Sequence, residues 1–532
     1  MLFTLEIGRQ NFKVFPKNEE FKKALKDFNK EFITYRKDRV RSKGRGRKSF
    51  FRTILVPDKL FVVQNVHLGF YIYPKTALDK FVKFISEIGI GRNMFEVIEH
   101  EKPKRFKVNI GMGVDMTPRP YQKKYIDVMS KKLHENTTFL VDLQTGKGKT
   151  FISASTIAKL GLRMAVLVKA NFVKKWKKDL MKLYGLDDSD VFVVSGRDSL
   201  NHLIELGKRK ETPKCVVFSA KTMQSYINSW EEMQFENCFN YGCFPDKLLD
   251  ILRISVILVD EAHKEYHSIY KTVLSLDPTL LIGLSATLIH KDARINETYG
   301  YLYPDDKRLS FLKIDVYAKA RSVLYKLDLP KKFRYMNGGY GYSQATFELS
   351  IISNRRLLYE FVSMILWGFD KYFWSIIKNN EKLSKKKCLL FFGSIEMCTI
   401  VTKVFKHYYG NEKIVSRYIG GDSYIDMLES DIIITTPGSA GEAIDIPNLI
   451  RVLSLVANDS IQQNLQMLGR LREDPDIIVE YVWFWCKNIP NHVTYDKNRK
   501  NLFMNRVKTI VDDVFPRNSV IPKDNLDTVL FK

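Results

Sequence analysis

TTFLVDLQTGKGKTFISASTIAKL, Thr137 to Leu160, is the stretch whose reading decides the fold. A short apolar run ends at Leu143, a loop carries Gly146 and Gly148, and small helix-tolerant residues follow from Lys149. That order predicts strand, phosphate loop, helix. Such a loop aims backbone N–H groups and a helix N-terminus at phosphate oxygens. Thr145, Gly146, Lys147 and Gly148 would line the cradle, Lys149 would reach the terminal phosphates of ATP, and the Thr150 hydroxyl would sit on Mg²⁺. The usual pattern begins with glycine, and Leu143 holds that place here.

Downstream, AVLVK (165–169), VFVVS (191–195), CVVFSA (215–220) and SVILVDEAH (255–263) are near-continuous apolar runs. Strands buried on both faces of a parallel sheet read this way. Crossover-length segments separate them, which predicts a doubly wound α/β lobe. SVILVDEAH ends in Asp260 and Glu261 at the C-terminal edge of its strand, where such sheets bind ligands. One carboxylate can hold Mg²⁺ and the other can orient the attacking water. LLIGLSAT (280–287) is a further buried strand, and its Ser285 and Thr287 are placed to reach the acidic pair.

Upstream, RPYQKKYI (119–126) precedes the loop by about one helix length, and the amide of Gln122 can donate to and accept from an adenine edge together. Residues 1 to 110 form an α+β unit of alternating short runs and two amphipathic stretches. This unit holds 25 basic and 12 acidic residues. Its densest part is RVRSKGRGRKSFFR, where Arg41, Lys43, Arg45, Arg47 and Lys48 lie beside Phe50 and Phe51. Cations with interleaved aromatics suit nucleic acid. A solvated basic loop or a localisation-like charge run is the alternative.

After LPKKFRYMNGGYGYSQ, a basic, aromatic and glycine-rich stretch that reads as a linker or a nucleic-acid-facing loop, a second alternating set begins. It runs through CLLFFGS (388–394), IVSRYIGG, DIIITTPG (431–438), RVLSLVA (451–457) and IVEYVWFWC (478–486). This second α/β lobe has no phosphate loop of its own. SIQQNLQMLGRLRE, between its last two strands, reads as a helix carrying Arg470 and Arg472, which could act as fingers on a nucleotide held by the first lobe. The expected division is 1–110 accessory, 111–325 first lobe, 326–500 second lobe and 501–532 tail.

The chain has 532 residues and a net charge of +25, which calls for a polyanionic partner. No apolar run reaches the roughly 18 residues of a membrane span. The six cysteines are scattered without the paired spacing of a zinc site. A reduced, intracellular, soluble protein binding nucleic acid is expected, in the host cytoplasm or nucleoid if the source is viral.

In order and spacing, RPYQ, LQTGKGKT, VLVKANFVKKW, VVFSAKTMQS, DEAH, SAT, LLFFGS, ITTPGSAGEAIDIP and QMLGRLRE resemble the superfamily 2 helicases. The SNRR segment at 353–356 and the small basic N-terminal unit look most like the UvsW-like phage helicases. The resemblance implies two tandem RecA-like lobes and ATP-driven work on branched DNA, with replication or recombination proteins as further partners. An RNA helicase or transcript-release factor is one alternative. A non-motor ATP-gated clamp is another. By the same resemblance Gln122 would read adenine, Asp260 would hold Mg²⁺, and Glu261 would act as base. His263, Ser285 and Thr287 would couple hydrolysis to lobe movement. Asp445 would approach the ribose, and Gln466 with Arg470 would complete the site from the second lobe. Leu143, Ala443 and Glu473 depart from the family's pattern, and Glu473 leaves open whether Arg470 or Arg472 is the finger.

Overall fold

The computed structural model describes residues 1–43, 49–64, 69–99, 105–135, 137–143, 148–233, 239–261, 266–285, 293–309, 316–328, 331–336, 341–440, 446–516 and 526–531, with the backbone alone at 36–43, 49–53, 134–135, 293–297 and 440. The chain divides into two compact units, one built from Met1–Leu143 and Gly148–Ser310, the other from Phe311–Lys532.

The first unit opens with seven strands: β1 (Phe3–Ile7), β2 (Asn11–Pro16), β3 (Ile33–Lys43), β4 (Ser49–Lys59), β5 (Val62–Gln64), β6 (Phe70–Pro74) and β7 (Phe95–Glu99). Five of them make a mixed sheet in the order β5-β6-β2-β1-β7, while β3 and β4 pair as an antiparallel ribbon from Ile33↔Lys59 to Lys43↔Ser49. Helices Glu19–Lys30 and Leu78–Glu87 bury Phe21, Leu25 and Phe28, and Phe81 and Ile85, at helical spacing.

Seven more strands follow: β8 (Thr138–Asp142), β9 (Met164–Val168), β10 (Val191–Val194), β11 (Cys215–Ser219), β12 (Val256–Val259), β13 (Leu280–Ser285) and β14 (Arg308–Leu309). They form a parallel sheet in the order β10-β11-β9-β12-β13-β8-β14. Its alternate residues feed two different cores. Phe139, Val141, Val166, Val217 and Leu258 face one, and Leu140, Leu167, Val216, Ile257 and Leu281 face the other. Both faces are therefore buried, the physical reason for the unbroken apolar runs.

The second of these cores also contains Phe3, Phe12, Phe28, Phe61 and Phe81, so the N-terminal sheet shares a core with the first lobe. Polar contacts tie the same seam. The Arg9 and Gln10 backbone N–H groups donate to the Asp277 carboxylate at 2.9 and 2.6 Å. Gln10 Nε2 donates to the Thr137 carbonyl at 3.1 Å, Thr138 Oγ1 donates to Gln10 Oε1 at 2.6 Å, and Asn11 Nδ2 donates to the Leu274 carbonyl at 2.6 Å. The expected separate N-terminal unit is separate as a sheet but not as a hydrophobic core.

The second unit carries β15 (Lys319–Tyr325), β16 (Lys387–Phe391), β17 (Val415–Tyr418), β18 (Ile432–Thr435), β19 (Leu449–Ser454), β20 (Glu480–Cys486) and β21 (Ile510–Val514). Its parallel sheet runs β17-β18-β16-β19-β20-β15-β21, position for position the order of the first. The expected boundary after residue 325 and the expected tail from 501 both cut into this sheet: β15 and β21 belong to it. Their mixed composition concealed them. KARSVLY exposes alternate positions, and IVDDV is an edge strand whose residues are half-buried or exposed.

Two tandem RecA-like parallel-sheet lobes with an N-terminal α+β sheet are thus present. No helix among the described residues is long and apolar enough to cross a membrane.

Candidate active site

The first lobe's sheet sets the site. β8 ends at Asp142, and β13 ends beside it, with Ser285 in register with Asp142. Leu143 donates its N–H to the Ser285 carbonyl at 3.3 Å and buries its side chain, 4% exposed, in the core beneath the sheet. Thr145, Gly146 and Lys147 lie outside the described residues. The chain returns at Gly148, whose φ of +77° favours glycine, and enters the helix Lys149–Leu160. Among the described residues no side chain caps that helix, and a helix start of this kind is able to receive an anion. In the second lobe the two helices after β15 are closed by their own side chains: Ser343 accepts from the Thr346 N–H and Asn354 from the Leu357 N–H.

Lys149 heads its helix and donates from Nζ to the Leu143 carbonyl at 2.9 Å. Gln122, on the helix Pro120–Glu135, is 6% exposed. Its Oε1 accepts the Arg119 N–H at 2.9 Å. Its Nε2 lies so close to the loop that a Cβ on Gly148 would stand 2.3 Å from it. The structure thus brings Gln122, Gly148 and Lys149 together.

Asp260 follows β12, with β13 between its strand and β8. Burial raises the Asp260 pKa first, and the Glu261 charge raises it further; a hydrogen bond from Trp176 and the charges of Lys175 and Lys149 oppose the shift. Trp176 Nε1 donates to Asp260 Oδ2 at 2.8 Å. Glu261 sits at φ +51°, a left-handed conformation that costs a non-glycine residue of order 1 kcal/mol. Asp142, unassigned from sequence, is also raised by burial, opposed by Lys149 and Arg308. Lys149 therefore acts electrostatically on both Asp142 and Asp260.

Among the described residues no group of three or more His, Cys, Asp or Glu could hold a metal unaided. One carboxylate and one hydroxyl, Asp260 and Thr150, fit Mg²⁺ that arrives with a nucleotide and keeps most of its ligands as phosphate and water.

His263, Thr287 and Asp445 lie outside the described residues, as do Arg45, Arg47 and Lys48; Arg41 and Lys43 fall in the backbone of β3. In the second lobe Gln466 is buried on the helix Ile461–Leu468. The arginines are not on that helix. It stops at Gly469, and Arg470 and Arg472 follow in the turn, the helical expectation having run past the glycine. The Arg472 guanidinium turns back onto the carbonyls of Gly469 and Leu471, an arrangement that suits a cation at a helix C-terminus. Arg470 is 2% exposed. Just beyond, Lys386 Nζ donates to Asp474 and Asp476 at 2.6 and 3.1 Å and pins the chain that leaves these arginines.

Sequence reasoning passed over Trp176 and Asp142. Trp176 falls in the quoted stretch VLVKANFVKKW, and the signal was an indole N–H, a group that seeks a partner when buried.

The turn at Gly148 and Lys149, the acidic pair beyond β12 on the same sheet, and a second lobe of the same strand order make this a protein of two tandem RecA-like lobes. Within that class the chain resembles the superfamily 2 helicases. Residues 115–290 match the family model described as the Type III restriction enzyme res subunit. The chain is 25% identical over 188 residues to the DNA 3'-5' helicase XPB of Kineococcus radiotolerans, covering 35% of this chain and 29% of that protein. It is 26% identical over 167 residues to the XPB helicase of Mycobacterium tuberculosis, covering 31% and 26%. The matched stretch thus spans under a third of either relative. Among solved structures, Mss116p bound to single-stranded RNA and AMP-PNP aligns with TM-score 0.48 and 14% identity over 77% of this chain and 81% of that one. T4 UvsW aligns with TM-score 0.32 and 13% identity over 97% and 100%.

Proposed function

We propose that the chain is a nucleic-acid-stimulated ATPase that translocates on DNA and remodels branched substrates, in viral replication, recombination or repair. The observation that carries this reading is the approach of Gln122 to the Gly148–Lys149 turn that follows β8, with Asp260 and Glu261 just past the end of β12, two strands along in the same sheet.

The chemistry follows from those residues. The open N-terminus of Lys149–Leu160, with Gly148 and the loop residues Thr145, Gly146 and Lys147, binds the phosphates of ATP, and Lys149 exchanges its Leu143 carbonyl for phosphate oxygen. Gln122 reads the adenine edge. Thr150 and Asp260 hold Mg²⁺, which neutralises charge on the phosphates when bound. Glu261 takes a proton from the attacking water. Asp445, Gln466 and Arg470 act on the nucleotide from the second lobe. His263, Ser285 and Thr287 pass the state of the nucleotide to the nucleic-acid track. Of the two arginines, Arg470 is the preferred finger.

Support for nucleic acid comes from the net charge of +25, from the basic run Arg41, Lys43, Arg45, Arg47 and Lys48 in the sequence, and from the β3–β4 ribbon, two strands of 11 residues each, of which Arg41 and Lys43 are part. A two-stranded ribbon fits the major groove, and phosphate contacts supply affinity that falls with salt. The residues flanking the ribbon, Phe32, Leu60 and Phe61, are buried in the core shared with the first lobe, which anchors its base.

The test is the ATPase rate measured side by side with single-stranded DNA, duplex, fork, Holliday junction and RNA. Greatest stimulation by branched DNA is expected. Stimulation by RNA alone would replace this reading with an RNA helicase, and no stimulation by any of them would replace it with a clamp.

A further inference from the structure

Trp176 lies on the helix Val173–Tyr184, whose buried stripe Val173, Trp176, Leu180 and Tyr184 packs under the sheet. At 2% exposure the indole is a core side chain, and burying it by hydrophobicity alone would strand its N–H. Instead Nε1 donates to Asp260 Oδ2 at 2.8 Å. The Asp260 backbone is fixed as well, its N–H donating to the Leu167 carbonyl on β9 at 3.2 Å. The carboxylate is thus restrained at its backbone and at one oxygen, and among the described residues its other oxygen, Oδ1, accepts no hydrogen bond and can serve a ligand. A rigid two-torsion ring anchored in the core sets such a direction better than a flexible lysine chain would, and the charge of Lys175, the preceding residue, acts on the same carboxylate.

We propose that Trp176 is a positioning residue for the nucleotide-bound magnesium: its indole N–H fixes the Asp260 carboxylate so that Oδ1 faces the ion. The inference rests on the reading of this lobe as an ATP site. It adds to that reading a residue outside the phosphate loop and the acidic pair. Outer partners of this kind alter metal affinity about 10-fold or more when removed.

Trp176→Phe keeps the ring in the core and deletes the N–H. In the full-length protein, binding of a fluorescent ATP analogue is titrated with MgCl₂, with an EDTA control and a thermal melt of each variant. The half-saturating magnesium concentration should rise about 10-fold in Trp176→Phe, while analogue binding in EDTA stays at the wild-type level. The same substitution in an Asp260→Ala background should then produce no further rise, because the acceptor of the interaction it removes is already gone. A general packing defect would weaken binding in both backgrounds alike, so equal effects in the two backgrounds overturn the proposal even if the melting temperature falls. An unchanged magnesium requirement in Trp176→Phe also overturns it. If wild-type protein binds the analogue with no dependence on magnesium, the ATP-site reading itself fails, and that result is separate from the other two.

Discussion

Lys149 Nζ and the Leu143 carbonyl are joined at 2.9 Å, so the loop's lysine is held by the backbone of the residue that breaks the loop's usual pattern. The Leu143 side chain points the other way, into the core shared by Phe139, Val141 and Ile152. Only the backbone of this position serves the site, and the side chain is free to serve stability. Restoring the family's glycine with Leu143→Gly is therefore expected to cost about 2–5 kcal/mol, as core truncations do. It should leave the KM for ATP within about twofold, since the 1.4 kcal/mol that a tenfold change requires has no contact to come from. Urea unfolding and steady-state kinetics on the same variant check both parts. A gain in turnover would show that Leu143 impairs the loop.

Asp277 holds the turn between β1 and β2 to the first lobe by accepting from the Arg9 and Gln10 N–H groups. Asp277→Ala leaves those donors without the carboxylate, at about 1–3 kcal/mol for each buried group. The first unit should lose roughly 2–6 kcal/mol in urea, and proteolysis should begin to cut within residues 1–110. A variant as stable as wild type would mean that the aromatic core alone carries the seam.

His492 makes a prediction about acid. Burial pushes its imidazole down to about 3. Its Nδ1 accepts the Cys486 N–H at 3.0 Å and its Nε2 pairs with the Tyr342 hydroxyl at 2.6 Å. The folded pKa lies below the unfolded value near 6.5, so the unfolded chain binds more protons between those limits. The stabilisation is complete above about pH 6.5 and is lost as pH falls, by an amount on the order of 3 kcal/mol at pH 4. The second unit of His492→Asn should show a smaller difference between urea midpoints at pH 7 and pH 4 than wild type shows. An identical pH slope would locate the acid sensitivity elsewhere.

The β3–β4 ribbon is tested by charge. Replacing Arg41, Lys43, Arg45, Arg47 and Lys48 together with alanine should weaken DNA binding about 10- to 100-fold near physiological salt and lower the slope of log affinity against log salt by roughly 0.9 for each phosphate that the ribbon no longer neutralises. Fluorescence anisotropy at several salt concentrations measures both. Unchanged slope and affinity would remove the ribbon from the DNA path.

Most of the frame was legible because its physics is local. Strands such as Val256–Val259 and Ile432–Ile434 are covered on both faces and read as apolar runs, and Gly148 and Lys149 declare a loop by residue type alone. What escaped depends on distant partners. β15 and β21 carry too few consecutive apolar residues to announce a strand, and their place in the sheet is set by pairing with β20 and with each other. The shared core of the N-terminal sheet and first lobe joins Phe3 and Phe28 to Tyr266 and Tyr270, more than 200 residues on, beyond the reach of periodicity. Arg470 and Arg472 were placed one element too early, because the helix ends at a glycine that the run of helix formers around it disguised. Trp176 was visible as a core aromatic, but its N–H acquires meaning only beside Asp260, 84 residues away.

The central claim is that Glu261, set at φ +51° beside Asp260, is the base of an ATP-hydrolysing site built on Lys149 and Gly148. The most direct measurement is ATP hydrolysis and ATP-analogue binding by Glu261→Gln, compared with wild type in the presence of DNA. Glutamine keeps the size and the hydrogen-bonding edge but cannot accept a proton, and loss of a general base costs about 10²- to 10⁴-fold. Hydrolysis reduced by that factor, with magnesium-dependent analogue binding retained, is the result expected. Turnover within a fewfold of wild type would contradict the assignment of the base and, with it, the reading of this sheet edge as the catalytic site.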